Sequence, residues 1–198
     1  FVSNDFPPHD LLVNQGDGSF VPGEVPMMQP SAFATSPSWG DVDNDGLLEL
    51  VLGEWNPIQA PIMDAIEDGF IDSDPEHPYW ALWMYKNKGN GYLEPYQFRV
   101  DSINVSRENF VFSPRFADFD GDFNLDLAVV SDFGRSKLYL NRGDGKFDNV
   151  TSQSGVGSDE NGMGSAIGDF DNDGDLDWFI SSVYDESAVK EGPWGGSG

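Results

Sequence analysis

Three short stretches of the chain hold acids at a spacing that can bind a metal cation. They are Asp41-Val42-Asp43-Asn44-Asp45-Gly46-Leu47-Leu48-Glu49, Asp118-Phe119-Asp120-Gly121-Asp122-Phe123-Asn124-Leu125-Asp126 and Asp169-Phe170-Asp171-Asn172-Asp173-Gly174-Asp175-Leu176-Asp177. Each places acids at positions 1, 3 and 5 of a tight loop and another at position 9, so a coiled backbone aims them at one point. Position 7, occupied by Leu47, Asn124 or Asp175, offers its backbone carbonyl most simply. An all-oxygen set suits a hard cation, and calcium in particular, because calcium accepts six to eight oxygens in flexible geometry. About three calcium sites are expected.

The same D-x-D-x-D-G opening begins an EF-hand, which also needs a bidentate Glu at position 12 and flanking helices. Position 12 here is Leu52, Val129 or Ile180, all apolar. Each loop runs directly into Leu50-Val51-Leu52, Leu127-Ala128-Val129-Val130 or Trp178-Phe179-Ile180, short stretches that read as strands. The loops therefore join strands, and the EF-hand is excluded.

A second element alternates with the first. Leu11-Leu12-Val13-Asn14-Gln15-Gly16-Asp17-Gly18-Ser19-Phe20 returns as Leu138-Tyr139-Leu140-Asn141-Arg142-Gly143-Asp144-Gly145-Lys146-Phe147, and more loosely over Trp83–Tyr92. Each reads as a hairpin with a glycine turn. The order hairpin, acidic loop, three times over, gives four-stranded antiparallel units. Asp118 and Asp169 are 51 residues apart, a propeller-blade period, whereas Asp41 and Asp118 are 77 apart because of an insertion at about 54–82. The fold expected is all-β, a β-propeller with about three blades present. Residues 1–185 form this segment, and 186–198 a tail or the start of the next blade connection.

With 10 basic against 35 acidic residues the net charge is -25, so nucleic acid and anionic membranes are poor partners. Thirteen of the acids lie in the three loops, and that repulsion is aimed at bound cations. Cysteine is absent, which removes disulfides and zinc-thiolate sites. No apolar run is long enough to insert into a membrane. The chain opens at Phe1 in what reads as the end of a strand, and a processed product or fragment is expected, with the remaining blades on the same polypeptide or supplied by self-association.

These repeats resemble the FG-GAP/VCBS family, whose calcium loops also occur in integrin α-subunit heads. The last seventy residues look closest to the cartilage-acidic-protein and ASPIC/UnbV-like branch, through Ser131-Asp132-Phe133-Gly134, the hairpin from Leu138 to Phe147, Asp148-Asn149-Val150-Thr151, Gly155-Val156-Gly157, Asn161-Gly162-Met163-Gly164 and the third loop. The resemblance implies calcium ligation by Asp41, Asp43, Asp45 and Glu49, by Asp118, Asp120, Asp122 and Asp126, and by Asp169, Asp171, Asp173 and Asp177. Two departures stand out. Glu49 replaces Asp at position 9, and Phe123 stands where Gly46 and Gly174 stand in the other loops, so the middle loop is expected to differ most.

Alternate connections in such a blade lie at opposite ends, so the acidic loops and glycine turns share one face. The insertion and the segments at about 93–110 and 148–162 lie on the other, where a protein or glycan partner is expected to bind. The insertion holds Trp55, Tyr79 and Trp80, a run of acids and a helix expected at about 61–69; it is either a docking patch or a packed-down cover. Arg142-Gly143-Asp144 spells an adhesion tripeptide, yet the hairpin demands those turn residues in every copy. Asn104 and Asn149 open glycosylation sequons, and His9 and His77 read as surface residues. The leading expectation is a non-catalytic, extracellular, secreted or periplasmic module that is structural or presents an interaction surface, including cell adhesion. The alternatives are a polysaccharide-acting enzyme and a subunit of a larger assembly.

Overall fold

In the computed structural model, residues 10–23, 34–55, 82–89, 92–96, 99–100, 110–132, 136–143, 146–158 and 161–183 are described. The expected helix at 61–69, Tyr79, Trp80, both histidines, the Asn104 sequon and the tail at 186–198 lie outside them.

Strands and turns dominate. β1 (Leu11–Asn14) and β2 (Phe20–Gly23) form a hairpin, and β3 (Ala34–Gly40), β4 (Glu49–Glu54), β5 (Leu82–Asn87) and β6 (Leu93–Tyr96) form a four-stranded antiparallel sheet in chain order. β7 (Arg99–Val100) leaves that sheet. β8 (Val111–Ala117), β9 (Asp126–Ser131), β10 (Lys137–Asn141) and β11 (Lys146–Asn149) repeat the pattern, and β7 pairs parallel with the outer strand β11. One helical turn, α1 (Thr151–Ser154), leads to the hairpin of β12 (Gly162–Gly168) and β13 (Asp177–Ser182). Among the described residues the expected blades are thus present as two complete four-stranded units and two half-units, with β7 an addition the repeat did not announce.

The acid-loop runs become the second strands of their sheets. β4 and β9 are buried along their whole length, because each lies between paired strands on both edges and is covered on both faces. That is why they read as continuous apolar runs instead of alternating ones. One core, of Val42, Val51, Leu82, Met84, Val111, Leu127, Val129, Tyr139 and Phe147, fills the space between the two complete sheets. Each such buried side chain contributes about 1.5–3 kcal/mol. A second cluster, Leu50, Tyr85 and Leu93 with Trp39 and Trp83 against it, belongs to the first sheet alone.

The innermost strands settle how the units stack. β3 packs against β8, and β12 against β8 and β9. Thr35 donates to the Val111 carbonyl at 2.8 Å, and the Arg115 guanidinium donates to the Ser36 hydroxyl at 3.1 Å. Gly40 and Gly53 permit this approach, since a Cβ on either would stand under 3 Å from Phe116 or Val111 of the next sheet. Four-stranded units meeting through their first strands is the blade arrangement of a β-propeller. Trp55, placed by sequence in the insertion, packs on Phe110 and Phe112 at ring separations of 5.7 and 6.4 Å, and so serves packing.

Candidate metal loops

Each acidic loop connects the first two strands of a sheet, and its acids build its backbone before they can do anything else. The position 1 carboxylate accepts the N–H groups of positions 5 and 6: Asp41 from Asp45 and Gly46 at 3.0 and 2.9 Å, Asp118 from Asp122 and Phe123 at 3.2 and 2.9 Å, and Asp169 from Asp173 and Gly174, both at 3.1 Å. Position 5 accepts from position 7, at 2.9, 2.8 and 2.9 Å for Leu47, Asn124 and Asp175. Position 9 accepts from position 2, at 3.1 Å for Val42, 2.8 Å for Phe119 and 2.9 Å for Phe170. The three loops share these bonds, and the second adds one, from the Gly121 N–H to Asp118 at 2.8 Å.

The expectation that the middle loop would diverge is corrected by its dihedrals. All three loops take positive φ at positions 4 and 6: Asn44 and Gly46, Gly121 and Phe123, Asn172 and Gly174. Phe123 adopts φ 70° despite its bulk, and the glycine has moved to position 4. The strain of such a conformation, about 1–2 kcal/mol, is borne because the Asp118 carboxylate holds the Phe123 N–H, and no crowding arises because the ring is 87 % exposed. The longer Glu49 also fits without rearrangement, reaching the same position 2 N–H.

These bonds gather the acids. Ligand oxygens of Asp41, Asp43 and Asp45 lie within 4.8 Å of one another, as do those of Asp118, Asp120 and Asp122, and those of Asp169, Asp171 and Asp177. Asp173 falls outside the third set, and Glu49 and Asp126 outside the first two. Both are buried instead, and their second carboxylate oxygens accept the backbone N–H of Asn87 at 3.4 Å and of Asn141 at 2.9 Å. The position 9 acid thus clamps the loop to the end of the third strand.

An oxygen-only donor set fits a hard cation in the second and third loops. In the first, the Lys86 ammonium bridges Asp43 and Asp45, and these carboxylates push its pKa above the ordinary lysine value. The other oxygen of Asp43, Oδ1, is buried without a hydrogen-bond partner and is free to take a cation. Lys86 was missed by sequence reasoning, although the signal was there: the matching positions of the other hairpins hold Val13 and Leu140.

Burial pushes the Asp126 carboxyl up to about 6, more than the Asn141 and Phe119 N–H groups pull it down, and Asp120 and Asp122 push it further up. Burial also raises Glu49. Because the folded pKa of Asp126 exceeds the unfolded one, metal-free chain keeps a proton there that unfolded chain releases above about pH 4. Its contribution to stability is therefore present below that pH and is lost as pH rises to about 6, by roughly 2–3 kcal/mol. A carboxyl-carbon NMR titration of Asp126 in chelator should give a midpoint near 6, and a midpoint near the ordinary carboxylate value of about 4 would contradict the burial argument.

The glycine turns lie on the same end as the loops. The Asn141 side chain donates to the carbonyls of Val42 at 2.7 Å and Leu125 at 3.0 Å, and accepts from Gly143 at 2.9 Å. Asn44 of the first loop donates to Asn124 of the second at 3.0 Å. Gly143 approaches Asn124 so closely that a Cβ would stand 3.1 Å from its amide oxygen, and Arg142 is ion-paired with Asp148. Arg142 and Gly143 of that tripeptide therefore serve the turn's own structure. Asn149 likewise uses its side-chain oxygen locally, accepting from the Thr151 N–H at 3.1 Å and its hydroxyl at 2.7 Å.

A family model of the FG-GAP-like repeat matches residues 1–52 and 118–180, which takes in all three loops, the first hairpin and the whole of the hairpin that begins at Leu138. No curated protein matches the chain. No helix among the described residues is long and apolar enough to cross a membrane. Blades joined through their first strands, acid loops that share one set of backbone bonds, and a family match over more than half of the residues agree, and the chain belongs to the FG-GAP-like repeat family.

Proposed function

We propose that this chain is a calcium-stabilised module that acts outside the cytosol, secreted or periplasmic, as a non-catalytic structural or interaction surface for protein or glycan. The observation that carries the reading is the convergence of three carboxylates in each loop, after the same carboxylates have ordered the loop backbone. The branch resembling cartilage acidic protein and ASPIC/UnbV is part of the proposal, as is the partner on the end away from the loops. A location outside the cytosol is part of the proposal, because sites of extracellular-type affinity, with a dissociation constant of about 10⁻⁴–10⁻³ M, stay empty at cytosolic calcium. Against a catalytic role, the two carboxyls with raised pKa among the described residues, Glu49 and Asp126, are each held by backbone donors on both oxygens and serve as loop clamps.

At a dissociation constant of about 10⁻⁴ M, roughly 2 mM calcium stabilises each filled loop by about 1.8 kcal/mol. The second and third loops bind first, because Lys86 must leave the first. Two filled loops should raise the thermal midpoint by about 10 °C over chelator. A midpoint that calcium leaves unchanged, in chain shown to be metal-free, overturns the proposal.

A further inference from the structure

Among the described residues, two half-units are complementary halves of one blade. β12 and β13 are first and second strands joined by an acid loop; β1 and β2 are third and fourth strands joined by a glycine turn. In the complete sheets the second strand pairs with the third in one register, Leu50 with Tyr85 and Leu127 with Tyr139. Counted from the position 9 acid and the turn asparagine, Trp178 matches Leu50 and Leu127, and Leu12 matches Tyr85 and Tyr139.

The exposures show what is uncovered. Tyr85 and Tyr139 are 1 % and 2 % exposed, but Leu12 is 42 %. Leu93 and Phe147, first apolar residues of their fourth strands, are 6 % and 0 % exposed; their counterpart Phe20 is 57 %. Val51 and Ala128 are fully buried, whereas Phe179 is 69 % exposed. The hydrogen-bonding groups are poised in the same way. Asn14 already accepts the Gly16 N–H at 2.8 Å, as Asn87 and Asn141 accept from Gly89 and Gly143. Asp177 already takes the Phe170 N–H on one oxygen, and the other is in the place where Glu49 and Asp126 receive the N–H of the turn asparagine.

We propose that the β1–β2 hairpin of a second copy of this chain pairs with β13, with Leu12 opposite Trp178, the Asn14 N–H on Asp177 and the Asn14 side-chain amide on the Leu176 carbonyl. The interface continues one already present. Phe119 of the second loop stacks on Trp178 at 6.3 Å, as Val42 of the first loop packs among Leu127, Tyr139 and Phe147, and Leu12 and Phe20 of the second copy complete the wall under Phe119. Made reciprocally, the contact joins the two complete sheets described in each copy and two composite ones into about six blades, within the four to eight of closed propellers, and the reciprocity closes the pair on itself.

Sedimentation velocity of the full chain at about 50 μM tests this. The expected species has twice the 21.8 kDa chain mass. Phe20→Asp and Phe179→Asp alter exposed side chains, and each should weaken the dimer at least tenfold while circular dichroism stays unchanged. An equimolar mixture of the two variants should associate more tightly than either alone, because it contains one unaltered composite sheet. A monomeric wild-type chain, or variants that dimerise like wild type, overturns the proposal whether or not the loops hold calcium.

Discussion

Asp126→Ala is expected to destabilise the chain by about 4 kcal/mol in millimolar calcium at pH 7, one of the two largest effects of a single substitution here. The carboxylate is fully buried and accepts the N–H of Phe119 at 2.8 Å and of Asn141 at 2.9 Å. Removing it leaves two buried donors without partners, at about 1–3 kcal/mol each. Asp126→Asn retains one acceptor and points an NH₂ group at the other donor, so it should recover only part of the loss. Urea unfolding of the three proteins gives the ranking directly. If the Ala variant loses under about 1 kcal/mol, less than one orphaned donor costs, the position 9 acid is not a clamp.

The second large effect belongs to Asn141. Its side chain ties the first loop, through the Val42 carbonyl, to the second loop, through the Leu125 carbonyl, and to its own turn, through the Gly143 N–H. Asn141→Ala should cost about 3 kcal/mol, from three bonds at roughly 1 kcal/mol each. Asn141→Asp is the sharper test. It preserves shape and the Gly143 bond, but turns a carboxylate oxygen toward two carbonyls and brings a negative charge beside buried Asp126. It should therefore be the less stable of the two variants, whereas a role in shape alone predicts that Asp is tolerated better than Ala.

Much of this was legible because repetition exposes constraint. The acid spacing announced the loops, and the apolar runs behind them announced the buried strands β4 and β9. The asparagine before each glycine turn was visible as a pattern, but its task was not: it reaches across to another loop, and contacts between residues 99 apart leave no local trace. Position 9 was read as a ligand because carboxylates at that spacing can converge. The structure shows the same acid buried as a backbone acceptor in two loops, which spacing cannot distinguish from ligation. Phe123 misled for a related reason. Its side chain argues against positive φ, yet the Asp118 carboxylate fixes the loop more strongly than the phenyl ring resists. Lys86 stands out in sequence against Val13 and Leu140, but its partners needed three dimensions, since only the pairing of β4 with β5 brings it over Asp43 and Asp45.

Calcium binding by the loops is the claim on which the proposed function stands, and equilibrium dialysis with radioactive calcium measures it without reference to stability. At roughly 2 mM free calcium, well above the dissociation constant of an extracellular-type site, the metal-stripped chain should retain at least two ions. A chain carrying both Asp120→Asn and Asp171→Asn should retain at least one fewer. Retention of none by the wild-type chain, or equal retention by the double variant, would contradict calcium ligation by these loops.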